Sequence, residues 1–133
     1  MSFIARDLKS YEDKSIGNGQ CVAFVRAAAS MPHTGMWRRG AHVQEAADLP
    51  VGTVIATFDR NGGYGNHVDG RSHAAVYLGA NAMGVRVLDQ WIRRVSKPDG
   101  SYVTIPVPVH ERLIAFRANV KPVDDGRNYY VVE

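Results

Sequence analysis

A chain of 133 residues with one cysteine has no disulfide framework and no multi-cysteine zinc site. It also lacks any apolar run long enough to span a bilayer. The opening residues, Met1-Ser2-Phe3-Ile4-Ala5-Arg6-Asp7, turn charged before a signal-peptide core develops. Excess charge is scarce as well. Sixteen Lys and Arg against thirteen Asp and Glu leave +3, and the basic residues are scattered apart from the pairs Arg38-Arg39 and Arg93-Arg94. That density is too low for a dedicated nucleic-acid groove, yet it suits an anionic polymer as substrate. Neither an internal repeat nor a low-complexity segment is present. These absences predict a soluble chain made in the cytoplasm, not inserted in a membrane, that reaches any outside destination without a cleaved signal.

What is present describes an ordinary globular domain, 45% hydrophobic and 22% charged. At this length a compact fold buries roughly two thirds of the surface of its unfolded chain, so residues 1–133 are expected to form a single domain. The stretch Gln20–Met31 is Ala-rich and nearly all apolar, lies between Gly17-Asn18-Gly19 and Pro32, and predicts a helix buried on almost every side with Asn18 as its N-cap. Residues 33–48 read as a loop with a short helix. Strands are predicted over 53–58, 73–79 and 84–91, and further ones over 101–105, 112–117 and 128–132. The segment 59–72, with four glycines, Asn61, Asn66 and Asp69, is too polar for a core element and reads as a surface loop. One buried helix ahead of an antiparallel meander is an α+β layout in which the helix covers one face of the sheet.

Cys21 falls in the first turn of the predicted helix, where unpaired N–H groups and the positive dipole end favour the thiolate. The same N–H groups are placed to hold an oxyanion. A cysteine nucleophile needs an imidazole, and the chain offers His33, His42, His67, His73 and His110. His73 stands apart because it joins the flexible loop to an apolar strand, where the backbone is rigid and the ring can face a cleft. A third group should orient that ring. Along Val85-Arg86-Val87-Leu88-Asp89-Gln90-Trp91 the alternation puts Asp89 on the face of Val85 and Val87, where a carboxylate requires a partner, and Gln90 on the other. Gln90 is the alternative third member. Two other readings compete: a metal hydrolase using His67, Asp69 and His73, and a non-enzymatic binding module that presents Trp37-Arg38-Arg39 around a structural Cys21.

Taken together, the blocks G-N-G-Q-C-V-A-F-V, L-P-V-G-T-V-I-A-T-F and S-H-A-A-V-Y-L-G resemble the NlpC and CHAP group of cell-wall cysteine peptidases. There the cysteine opens a buried helix, a P-x-G-D-like turn starts the first core strand and a histidine opens the next. The likeness runs over roughly residues 15 to 92, with Thr53 where the group commonly has an acid and without its usual aromatic pair after the cysteine. The resemblance implies a papain-like α+β fold and hydrolysis of amide bonds in peptidoglycan stem peptides by Cys21, His73 and Asp89, with no metal or organic cofactor. Small size, the missing signal and the absence of wall-binding repeats resemble the compact amidase effectors that bacteria deliver into rivals by type VI secretion. That branch implies a monomeric antibacterial toxin acting in the periplasm of a target cell and accompanied by an immunity protein.

Overall fold

The Ala-rich segment forms α1 (Cys21–Ala29) in a computed structural model that describes residues 1–133. Cys21, Phe24, Val25 and Ala28 are its buried residues, an i, i+3, i+4, i+7 stripe, whereas Arg26 and Ala27 face solvent. The helix is therefore buried along one face rather than on nearly every side, because a single sheet covers it and alanine is small enough to leave in water. Its N-cap is Gln20, not Asn18. The Asn18 side-chain oxygen accepts from the Gln20 N–H at 2.9 Å, an Asx turn that delays the helix and makes Cys21 its first residue. At the other end Ser30 takes the left-handed conformation at φ 52°, two residues before Pro32.

The six strands are β1 (Arg39–His42), β2 (Val54–Ala56), β3 (Ala74–Ala80), β4 (Gly84–Ser96), β5 (Tyr102–Ala115) and β6 (Tyr130–Val132). They form one antiparallel sheet in the order β1-β6-β2-β3-β4-β5. The run β2 to β5 is the expected meander, but β6 returns from the far end of the chain to lie beside β2, with β1 outside it. Residues 33–48 accordingly contain a strand where a loop with a short helix was expected. Arg39 pairs with Val132 and His42 with Tyr130, contacts too distant in sequence for local propensity to signal.

The two strands expected over 101–105 and 112–117 are one, β5, which runs through Pro106 and Pro108. Prolines are tolerated there because β5 is the sheet edge, and Pro108 lies in the register shift opposite Asp89–Trp91. β3 pairs with β4 only over Val85–Leu88, so the outer half of the β4–β5 hairpin, Arg93–Ser96 against Tyr102–Ile105, projects as a two-stranded arm.

Alternation along the strands makes two cores. Val54, Ala56, Ala74, Val76 and Leu88 pack with Phe24 and Val25 of α1, while Ile55, Ala75, Val85, Val87 and Ile114 pack with Tyr129 and Val43 on the opposite face. Trp37 belongs to the first core, fully buried, with its indole N–H donating to the Pro32 carbonyl at 3.0 Å. The Trp37-Arg38-Arg39 segment is thus not an aromatic contact surface.

Gln90 ties β4 to the approach of α1. Its amide oxygen accepts from the Ile16 N–H at 2.8 Å, and its nitrogen donates to the carbonyls of Ile16 at 2.9 Å and Gln20 at 2.8 Å. Gly19, at φ +85°, passes so close to β4 that a Cβ there would lie 3.2 Å from Ile92. Gln90→Leu strips three backbone groups of their partners, and each unpaired buried group costs about 1–3 kcal/mol. The expected result is a loss of about 3 kcal/mol in urea unfolding, reduced by whatever water reaches the freed groups. A loss below about 0.5 kcal/mol, the range of ordinary surface substitutions, would show that the approach to Cys21 is held by other contacts.

Candidate active site

The start of α1, the 59–72 loop and the hairpin arm enclose a cleft of about 680 Å³. Cys21 and His73 both line it. Cys21 is 9% exposed, with its sulfur 3.7 Å from the Tyr64 hydroxyl. His73 immediately precedes β3 and is fixed by Thr57. Its N–H donates to Thr57 Oγ1 at 3.0 Å, its carbonyl accepts from the Thr57 N–H at 3.0 Å, and Thr57 Oγ1 in turn donates to the Arg71 carbonyl at 3.0 Å. The strand end is rigid, and only the ring has latitude.

His73 Nε2 meets Asp89 Oδ2 at 2.6 Å, and the ring shares the cleft with Cys21, near enough for the charge of each to act on the other. With Nε2 engaged by the carboxylate, Nδ1 is the ring nitrogen left free for the thiol. Asp89 has no solvent exposure. Behind it Arg112 donates from Nε at 3.0 and 3.1 Å and from Nη2 at 2.8 Å, and its guanidinium lies over the Trp91 ring at 4.6 Å. The order is thiol, imidazole, carboxylate, guanidinium, anchored on α1, β3, β4 and β5 in turn.

The electrostatics follow from that order. Burial, the largest influence on Cys21, opposes ionisation, but the charge and hydrogen bond of His73, the Ala74 N–H and the Tyr64 hydroxyl outweigh it and lower the thiol below its usual value. Burial likewise works against the charged form of His73, yet the Cys21 and Asp89 anions lift it to about 9. At Asp89 burial pushes upward and is overcome by His73 and Arg112, so the carboxyl stays below its ordinary range. Both shifts favour the thiolate–imidazolium form of the pair over the neutral one.

Gln90, the alternative to Asp89, faces the helix side and binds backbone, not the imidazole. The metal reading loses its geometry: His67 pairs with Asp59 at 3.0 Å, Asp69 with Arg71 at 2.8 Å and His73 with Asp89, three separate partnerships. Three residues of the site were not singled out from sequence. Tyr64 packs against Trp37 with ring centroids 4.9 Å apart and is 8% exposed, so the glycine-rich loop sends one side chain into the core. An aromatic between Gly62-Gly63 and Gly65 was the available signal. Arg112 and Trp91 carried none, because their meeting depends on the β4–β5 register.

One helix packed on an antiparallel sheet, with the thiol where that helix begins, places the chain in the papain-like class of cysteine hydrolases. The family described as Domesticated amidase effector 2 matches over residues 2–132, and the chain belongs to it. A Type VI secretion amidase effector 2 protein of Salmonella typhi is 38% identical, with 100% of each chain covered. A Domesticated amidase effector 2 of Ixodes scapularis is 32% identical over 86% of this chain and 70% of its own. Among solved structures, a Type 6 secretion amidase effector 2 (Tae2) superposes with a TM-score of 0.76 at 31% identity, covering 98% of this chain and 94% of that one.

The ion pair is directly observable through thiolate absorbance at 240 nm. The absorbance is expected to persist at neutral pH in the parent and to vanish in His73→Ala, where burial acts on the thiol with its strongest opponent removed. Equal absorbance in both proteins would assign the thiolate to the helix terminus alone.

Proposed function

We propose that the protein is a peptidoglycan amidase in which Cys21 is the nucleophile, His73 the acid and base, and Asp89 the group that orients His73. The observation that carries this reading is the His73 imidazole, held by the buried Asp89 on Nε2 and sharing with Cys21 the lining of one cleft. The Cys21 thiolate attacks the carbonyl carbon of a stem-peptide amide, and the C=O pair moves onto oxygen. The first-turn N–H groups of α1, where no side chain caps the helix, receive that oxyanion, with the Tyr64 hydroxyl as a neighbouring donor. His73 gives its proton to the leaving amine as the C–N bond breaks. It then takes a proton from water as that water opens the thioester and regenerates the thiolate. Asp89 stays ionised and Arg112 keeps it so.

The family supports delivery by type VI secretion and action on bacterial walls, and our reading takes the periplasm of the target cell as the place of action. Residues 1–133 act there as one monomeric amidase domain, with no metal or organic cofactor and with an immunity protein protecting the producer. No helix is long and apolar enough to cross a membrane.

Mass spectrometry of purified peptidoglycan after digestion reports activity and the bond together. Cys21→Ala and His73→Ala are expected to lower turnover by about 10⁴-fold or more with circular dichroism unchanged. Asp89→Asn should cost less, about 10²-fold, since its amide oxygen still accepts from Nε2. The rate should rise as Cys21 ionises and fall as His73 loses its proton near pH 9. Because Asp89 raises His73, Asp89→Asn should move the falling limb to lower pH. A Cys21→Ala protein as active as the parent would make the cysteine structural.

In cells, the chain fused to an export signal is expected to lyse a Gram-negative host. The same fusion with Cys21→Ala should not, and the unfused chain should be tolerated at matched abundance. Equal lysis by both exported forms would trace the toxicity to crowded export machinery and remove the wall as substrate.

A further inference from the structure

We propose that the cleft recognises free carboxylates on the peptide it cleaves, through one cation from each of three walls: Arg26 of α1, Arg94 of β4 and Lys121 of the segment after β5. The proposal rests on the amidase reading and specifies its substrate class. Of the 19 residues lining the cleft none is Asp or Glu, although the chain has thirteen acids. The three cations join none of the eight ion pairs of the molecule. The cleft thus presents three cations and no acid along its lining.

Each cation is held by something other than an acid. Arg26 Nε donates to the Met31 carbonyl at 3.3 Å, which leaves the outer nitrogens unengaged. Five residues beyond Cys21, it stands about 7.5 Å further along the helix axis. Arg94, on the projecting arm and opposite Thr104 of β5, lies over the Tyr102 ring at 4.0 Å, which orients its plane while its N–H edges stay open. The Lys121 stem crosses Gly70, where a Cβ would come within 2.9 Å of the lysine Cδ, and the Val123 N–H binds the Gly70 carbonyl at 3.2 Å. Glycine at that loop position lets the lysine lie along the rim.

A cleft with low-dielectric walls and unpaired cations concentrates anions. The cations stand singly on separate walls, a spacing that suits separate carboxylates along an extended peptide rather than the clustered oxygens of a phosphate polymer. They share the cleft with the thiol, where the polymer being cut is a peptide. Because none of them touches the reacting atoms, removing them should raise KM and leave kcat nearly unchanged.

The test compares soluble muropeptides having free carboxylates with the same muropeptides amidated by ammonia and carbodiimide. Binding to the Cys21→Ala protein, read by calorimetry, separates recognition from turnover. Amidation is expected to weaken binding about tenfold, and about 0.5 M NaCl should shrink the difference. The Arg94→Gln/Lys121→Gln double variant should bind both forms alike, and in the active protein it should raise KM for the free form about tenfold. Equal affinity of the Cys21→Ala protein for both forms would overturn the proposal, as would full discrimination by the double variant. Competition by polyglycerol phosphate as strong as by the free muropeptide would reassign the cations to a phosphate polymer and overturn it too. Discrimination in binding, with muropeptide masses left unchanged by the active protein, would uphold carboxylate recognition and defeat the amidase reading alone.

Discussion

A carboxylate without solvent contact must be neutralised in place, and the site is arranged around that requirement at Asp89. Two groups meet the same Oδ2, His73 Nε2 at 2.6 Å and Arg112 Nη2 at 2.8 Å, and lie 3.5 Å from each other. Arg112 by itself makes three hydrogen bonds to the carboxylate, so the charge stays paired when His73 is lost. The Cys21 charge and then Asp89 raise the proton affinity of His73, and His73 in turn lowers the Cys21 thiol. Arg112 is in turn steadied by Trp91, so the arrangement extends from the thiol to the sheet edge.

Neighbouring residues of β4 serve the two halves of the site. Asp89 points away from the helix and holds the imidazole, while Gln90 points towards it and holds the Ile16–Gln20 approach from which Cys21 emerges. Because side chains alternate strictly along a strand, a slip of one residue would exchange these roles and lose both. The distance between thiol and imidazole is therefore governed by the pairing of β3 with β4, and the position of the guanidinium by the pairing of β4 with β5. The geometry of the candidate site and the sheet register are one property here.

The loop over the cleft is neither core nor free surface. Tyr64 inserts between Trp37 and Phe58, and Asp59 pairs with His67, so its glycines make turns between anchored points. That anchoring keeps a hydroxyl beside the sulfur and Gly70 beneath Lys121. The arm opposite is two strands wide, with Tyr102 and Ile105 exposed. A rigid floor between two projecting walls suits a polymer that must thread through the site.

Several features were legible in the sequence because they depend on neighbours a few positions away. The helix with Cys21 in its first turn, the strand beginning beside His73 and the inward face of Asp89 follow from glycine and proline punctuation and from period-2 alternation. Helical burial was overestimated, since composition reports how apolar a segment is and not how many sides the sheet covers. β1 was missed and β5 was divided in two, because one needs a partner from the far terminus and the other uses its edge position to carry prolines. Tyr64, Arg112 and the three cleft cations belong to the same category. Their roles arise from loop closure and strand register, long-range constraints that only the packed chain imposes, whereas the chemistry of each side chain was already written in the sequence.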